Sequence, residues 1–357
     1  MRKTIFAMLV VTLAASPAHA QLGSLMKKAD SLAKAYDDWN FTDAEEHELG
    51  GEISTKLRDK YGVVQDKAVH KYVTLVGSVL AQQSSRPNLQ WTFIVLDTDG
   101  VNAFAAPGGF IHITRGALAL IQNEAELADV LGHEIGHVSE KHTINAIKKS
   151  KVTVGITGST RNEFLKNFAN KAYEMTLENS YDRDDENGAD KVGVVLASKA
   201  GYSPSGMAAF LTRLSERNKG LQERSGMFAS HPQMKARLDD LAKYITSQKL
   251  ASTATVAPRY AQSIQFKVVP IDQIAQVAPP TPGAAAAKPE EKSSGSGKFG
   301  LSGLNPLGRE KSGSQTVASA GSRGVNPDRD AKGGPNKSAV VVTVSPTEIA
   351  EFRKGIA

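Results

Sequence analysis

The sequence predicts an α+β fold, mostly helical with one small β-sheet and followed by a disordered C-terminal tail. Three observations carry this. Apolar residues recur at helical spacing over residues 42–80 and 123–246, while residues 91–114 switch to short apolar runs parted by turn signals. Beyond residue 277 the composition turns to Pro, Gly, Ala and Ser, which cannot bury enough apolar surface to fold.

The elements follow in order. Leu25–Trp39 has a helical pattern. Thr42 with Glu45 three residues on is a capping box, opening a helix that carries Leu49, Ile53 and Leu57 and stops near Tyr61-Gly62. Asp66 caps the next, with Val69, Tyr72, Val73, Val76 and Leu80 on one face, ending before Arg86-Pro87. Trp91–Leu96, Asn102–Ala105 and Phe110–Thr114 read as strands, the last two joined through Pro107-Gly108-Gly109. One long helix is expected from Asn123 to about Lys148, acidic at its start and basic at its end as the helix dipole favours. Val152–Thr160 reads as a loop; helices follow over Glu163–Glu178, Asp184–Lys199, Ser205–Arg217 and Pro232–Thr246. Gln262–Ile271 and Ala339–Val344 are expected strands, and Pro346–Ile356 a short helix. The boundaries are then 1–20, a folded domain over 21–250, an extension over 251–277, a low-complexity linker over 278–338, and a docking segment over 339–357.

Charge is distributed unevenly. The 357 residues hold 43 Lys+Arg and 37 Asp+Glu, but residues 21–250 hold 28 basic and 29 acidic, whereas residues 251–357 hold 13 and 8. The net +6 therefore sits at the ends, and a nucleic-acid partner is not expected, since that would need a basic folded face. No cysteine is present, which excludes disulfides, thiolate metal sites, cysteine nucleophiles and a lipid-modified N-terminal Cys. Met1–Ala20 has basic Arg2-Lys3, an apolar run from Ile5 to Ala15, and Ala18-His19-Ala20, the three parts of a cleavable secretory signal. Cleavage after Ala20, a mature chain without a membrane-spanning helix, and a periplasmic address are expected.

His133-Glu134-Ile135-Gly136-His137 places two imidazoles at i and i+4 on one helical face, close enough to share one tetrahedral zinc ion. Glu134 then lies beside the open position, where it can take a proton from water. The apolar neighbours Val130, Leu131, Ile135 and Val138 imply a buried helix, in which two His and a Glu are costly unless a cation pairs them. A third ligand is needed. His142, nine residues after His133, falls on the opposite face of a continuous helix and reads as a surface or supporting histidine. Glu186 is the better candidate, and Asp190, one turn further, is placed to accept Nδ1–H from a ligating His.

These residues resemble the M48 (Ste24/Oma1-like) zinc metallopeptidases: His133–His137 followed by Glu186-Asn187-Gly188-Ala189-Asp190, with Asn102–Ile111 and Thr114-Arg115-Gly116 upstream, Tyr181, and His231-Pro232 with Arg237 downstream. The resemblance covers roughly residues 40–250. It implies a gluzincin-type domain of the soluble exported bacterial kind, with one zinc on His133, His137 and Glu186 and Glu134 as general base. It further implies an edge strand, Asn102, Ala103, Phe104 and Ala105, beside the metal helix to hold an extended or unfolded polypeptide; a plain hairpin is the alternative. His231 either approaches the metal as a regulator or starts a helix with Pro232 at its first position. Arg237 either pairs with an acidic group of the site, meets substrate charge, or is structural. Misfolded or stalled envelope proteins are the implied substrates. The rivals are a chaperone or assembly factor with low or self-inhibited cleavage, and a module attaching to outer-membrane machinery or cell wall through the basic tail.

Overall fold

Thr42 and Asp66 act where their sequence positions place them. In the computed structural model, which describes residues 41–149, 161–178, 181–218, 234–274 and 336–356, Thr42 and Glu45 exchange both bonds of a capping box at the start of α1 (Asp43–Tyr61). The Asp66 carboxylate accepts from the Ala68 and Val69 amides at the start of α2 (Lys67–Ala81). The signal segment Met1–Ala20, the helix expected over Leu25–Trp39, the loop Val152–Thr160, His231-Pro232 and residues 278–335 of the low-complexity stretch lie outside the described residues.

Three strands follow: β1 (Thr92–Leu96), β2 (Ala103–Ala106) and β3 (Phe110–Thr114), in the order β1-β3-β2. β1 runs parallel to β3, and β2 antiparallel to it, with Ala105 opposite Ile111. The turn between β2 and β3 uses positive φ at Gly108 and Gly109, and a Cβ on Gly108 would sit 2.4 Å from the His47 backbone. Because strand side chains alternate, the sheet separates two apolar layers. Phe93, Val95, Ala103, Ala105, Ile111 and Ile113 face the larger one with α2 and the helices that carry the site. Ile94, Leu96, Phe104 and Ala106 face a second layer with α1.

After the sheet come α3 (Arg115–Leu120), α4 (Glu124–Ser139), α5 (His142–Lys149), α6 (Arg161–Glu178), α7 (Arg183–Ala200), α8 (Gly206–Arg217), α9 (Met234–Ser247) and α10 (Ala257–Ser263). Among the described residues no helix is long and apolar enough to cross a membrane. β2 is an edge strand by pairing, yet its four residues are at most 2% exposed. Phe104 and Ala106 share their apolar layer with Ile144 and Ile147 of α5 and Leu165 and Phe168 of α6.

The single helix expected over Asn123–Lys148 is two. It breaks at Glu140-Lys141, where Lys141 takes φ 57°. Tertiary contacts win over a continuous helical pattern here. Lys141 Nζ lies 2.5 Å from the buried carboxylate of Glu46, and Arg86 bonds both Glu46 and the Val138 carbonyl of the last α4 turn.

The strand expected over Gln262–Ile271 is also absent: α10 runs into it, and Ile264–Pro270 is irregular. Packing continues past residue 250. Arg259 of α10 reaches the buried Glu124 at the start of α4, where the Tyr72 and Tyr202 hydroxyls also donate. The C-terminal segment returns to the same surface. The Val63 amide donates to Asn336 O, and Arg58 and Gln65 to the carbonyls of Lys337 and Ser338. α11 (Pro346–Lys354) places Phe352 under the Arg259 guanidinium, and Ile349 and Ile356 join the core. Ala339–Val344, expected as a strand, runs beside β1 without pairing, leaving a cavity of about 530 Å³ between them.

Candidate metal centre

All sixteen residues of α4 are buried. α7 lies against it almost backbone to backbone, because small residues meet at the crossing: a Cβ on Gly132 would sit 3.0 Å from Gly193, one on Gly136 3.0 Å from Ala189 Cα, and one on Gly193 2.8 Å from the His133 amide. This approach lets short carboxylate side chains on α7 reach the imidazoles on α4.

The Nε2 atoms of His133 and His137 lie 3.0 Å apart. Glu186 presents Oε2 at 3.7 Å from the first and Oε1 at 3.5 Å from the second. Donor atoms of these three buried residues all lie within 4.8 Å of one another, a set able to hold a metal ion. Asp190, one turn along α7 from Glu186, puts Oδ1 2.9 Å from His133 Nδ1.

Arg237 of α9 closes the site from behind. Its Nε and Nη2 bond the two Asp190 oxygens at 2.8 and 2.6 Å, and its Nη1 lies 2.7 Å from Glu186 Oε2. The guanidinium is only 2% exposed and serves the acidic pair. Burial by itself would raise the Asp190 carboxyl, but Arg237 and His133 more than offset it and hold it well below the ordinary carboxylate range. Glu134 is fully buried on the same helix, near enough to Tyr181 and Arg237 for its charge to act on both. Asn102, Ala103, Phe104 and Ala105 lie at and in β2, which packs against α4.

A family model described as Peptidase family M48 matches residues 67–245, half of the chain. The chain belongs to peptidase family M48. The M48 match takes in α2 through the Arg237 helix, so every part of the centre falls within it. The beta-barrel assembly-enhancing protease of Yersinia pestis is 26% identical over 59% of this chain and 46% of its own length. Metalloprotease LoiP of Escherichia coli K12 is 26% identical over 57% of this chain and 81% of its own, and mitochondrial metalloendopeptidase OMA1 of Arabidopsis thaliana is 28% identical over 51% and 37%. The chain thus spans less than half the length of the Yersinia relative it matches.

Of three further residues of this centre, sequence spacing sets His142 on the wrong face, the family resemblance names Tyr181 without a role, and neither marks Asp129. His142 comes round to His137, Nδ1 to Nδ1 at 2.9 Å, because the break at Lys141 undoes the angular count that put it on the far side. Tyr181 stacks on the His137 ring, centroids 4.0 Å apart, while its hydroxyl pairs with Thr143. Asp129, one turn before His133, accepts from the Met207 amide at the start of α8.

Asp129 also gives a pH dependence. Complete burial pushes its carboxyl up from 3.8 to about 8, although the Met207 and Gly206 amides pull it down. The folded state therefore keeps a proton that the unfolded state releases, so this group's contribution to stability falls as pH rises from about 4 to about 8 and stays low above that. Asp129→Asn keeps an acceptor for Met207 but does not titrate. Its melting temperature should fall less than the wild type's between pH 5 and pH 9; parallel melting curves would contradict the assignment.

Proposed function

We propose that this M48 domain is a zinc-dependent metalloendopeptidase of the periplasm that cleaves extended or unfolded polypeptides, among them misfolded or stalled envelope proteins. The observation that supports it most is the convergence of two imidazole Nε2 atoms and the Glu186 carboxylate on one buried point. Zn–N bonds of 2.0–2.1 Å at tetrahedral angles place two nitrogens about 3.3 Å apart; here they are 3.0 Å apart. The donor set is of the two-imidazole, one-carboxylate kind that leaves a fourth position open.

A zinc ion held there supplies a Lewis acid that polarises a peptide carbonyl and acidifies water. Glu134 takes the proton from the attacking water and passes it to the leaving amine. Asp190 fixes His133 with its Nδ1–H outward and Nε2 inward, and Arg237 holds Asp190 and Glu186 in place without leaving two bare carboxylates in the core. β2 holds the substrate by main-chain bonds, which makes recognition tolerant of sequence. The secretory pattern of Met1–Ala20 and the likeness to a beta-barrel assembly-enhancing protease support the periplasmic address.

One observation favours the second reading, an assembly factor with low resting cleavage: β2 is covered in this structure, so a polypeptide reaches it only when that apolar layer gives way. Residues 336–356, part of the basic tail, are engaged by the protein's own core. The test is cleavage of a chemically unfolded protein by the full mature chain before and after treatment with a chelator. Activity lost on chelation and regained with one equivalent of zinc per chain is expected; cleavage indifferent to metal would overturn the proposal.

A further inference from the structure

The two histidines of the centre are supported differently. His133 Nδ1 faces a carboxylate, Asp190. His137 Nδ1 faces another histidine: His142 Nδ1 at 2.9 Å, with His142 Nε2 3.8 Å from Asp185 Oδ1. His142 is 7% exposed and is swung into this position by the left-handed Lys141, itself paired with Glu46.

We propose that His142 is a positioning residue that sets the tautomer and ring orientation of His137, with Asp185 orienting His142 in turn. The proton arrangement follows from the geometry. His137 Nε2 points at His133 Nε2 and Glu186, so its lone pair must be there and its proton on Nδ1. His142 Nδ1 must then be the acceptor, which puts the His142 proton on Nε2, the nitrogen facing Asp185. Tyr181, stacked on the face of the His137 ring with centroids 4.0 Å apart, restrains its rotation further. A neutral imidazole is a weaker acceptor than a carboxylate, so the site is asymmetric in what backs its two nitrogen donors.

The inference rests on the metal reading of the site, and its test separates the two. Zinc affinity is measured by chelator competition for the full mature chain, His142→Leu and His142→Asn, beside the melting temperature of each metal-free protein. Leu keeps the volume and removes the acceptor; Asn restores an acceptor oxygen. Affinity about 10–100-fold weaker in His142→Leu, largely restored in His142→Asn, is expected. The visible spectrum of the cobalt-substituted protein should change in the Leu variant and return towards wild type in the Asn variant. Equal affinity for all three chains overturns the role of His142 while leaving the metal site intact, and so does an equal loss in both variants. Failure of the wild type to bind zinc overturns the metal reading itself.

Discussion

Glu134→Gln should lower the rate of peptide-bond cleavage by about 10²–10⁴-fold, the range for losing a general base, with zinc content unchanged. Gln is close in size and keeps a carbonyl oxygen in the buried position, but it cannot accept a proton at neutral pH. Glu134 is not among the three converging ligands, so its loss should leave the metal in place. Rate and metal content have to be measured on the same preparation, using an unfolded protein as substrate. A variant that cleaves at the wild-type rate would remove Glu134 from the chemistry. One that has shed its zinc would instead make it part of the metal shell.

Arg237→Met should destabilise the metal-free protein by about 3–5 kcal/mol, the cost of breaking a buried ionic cluster by removing one partner. The guanidinium lies between Glu186 and Asp190, which are 1% and 3% exposed. Without it two carboxylates face each other in a dry interior, and one must take up a proton or draw in water. Denaturant unfolding measures the loss, and zinc should recover part of it by returning positive charge to Glu186. Pairing Arg237→Met with Asp190→Asn should give a smaller loss than the sum of the two singles, since they act on one cluster. A loss under about 1 kcal/mol, as for an exposed pair, would mean that the cluster is wetter than its burial implies.

The sequence carried those features whose cause is local. Thr42 and Asp66 each cap the helix that follows them, as their positions in the sequence imply. The i, i+4 spacing in α4 fixed the two histidines whatever the surroundings, and the same spacing in α7 joined Glu186 to Asp190. What could not be read was set from a distance. Nothing in the run Ser139–Thr143 marks a break, because Lys141 leaves the helix for Glu46, nearly a hundred positions earlier. With the break unseen, the rotation count placed His142 on the wrong side. α3 escaped notice for a different reason: six residues are too few to show a period, and the Thr114 hydroxyl that caps it also closes the β2–β3 hairpin. Arg237 was recognised as a residue of interest, but only the fold determines which of its partners it meets.

The returning C-terminus changes what kind of object this chain is. Residues 336–356 touch α1, α2, α7 and α10 but are joined to the rest only through residues 275–335. The segment is held by side-chain and carbonyl contacts to four separate helices. Its occupied surface includes Arg259, which also grips Glu124, the first residue of α4. The Phe352 carbonyl and the first residue of α4 thus share one side chain.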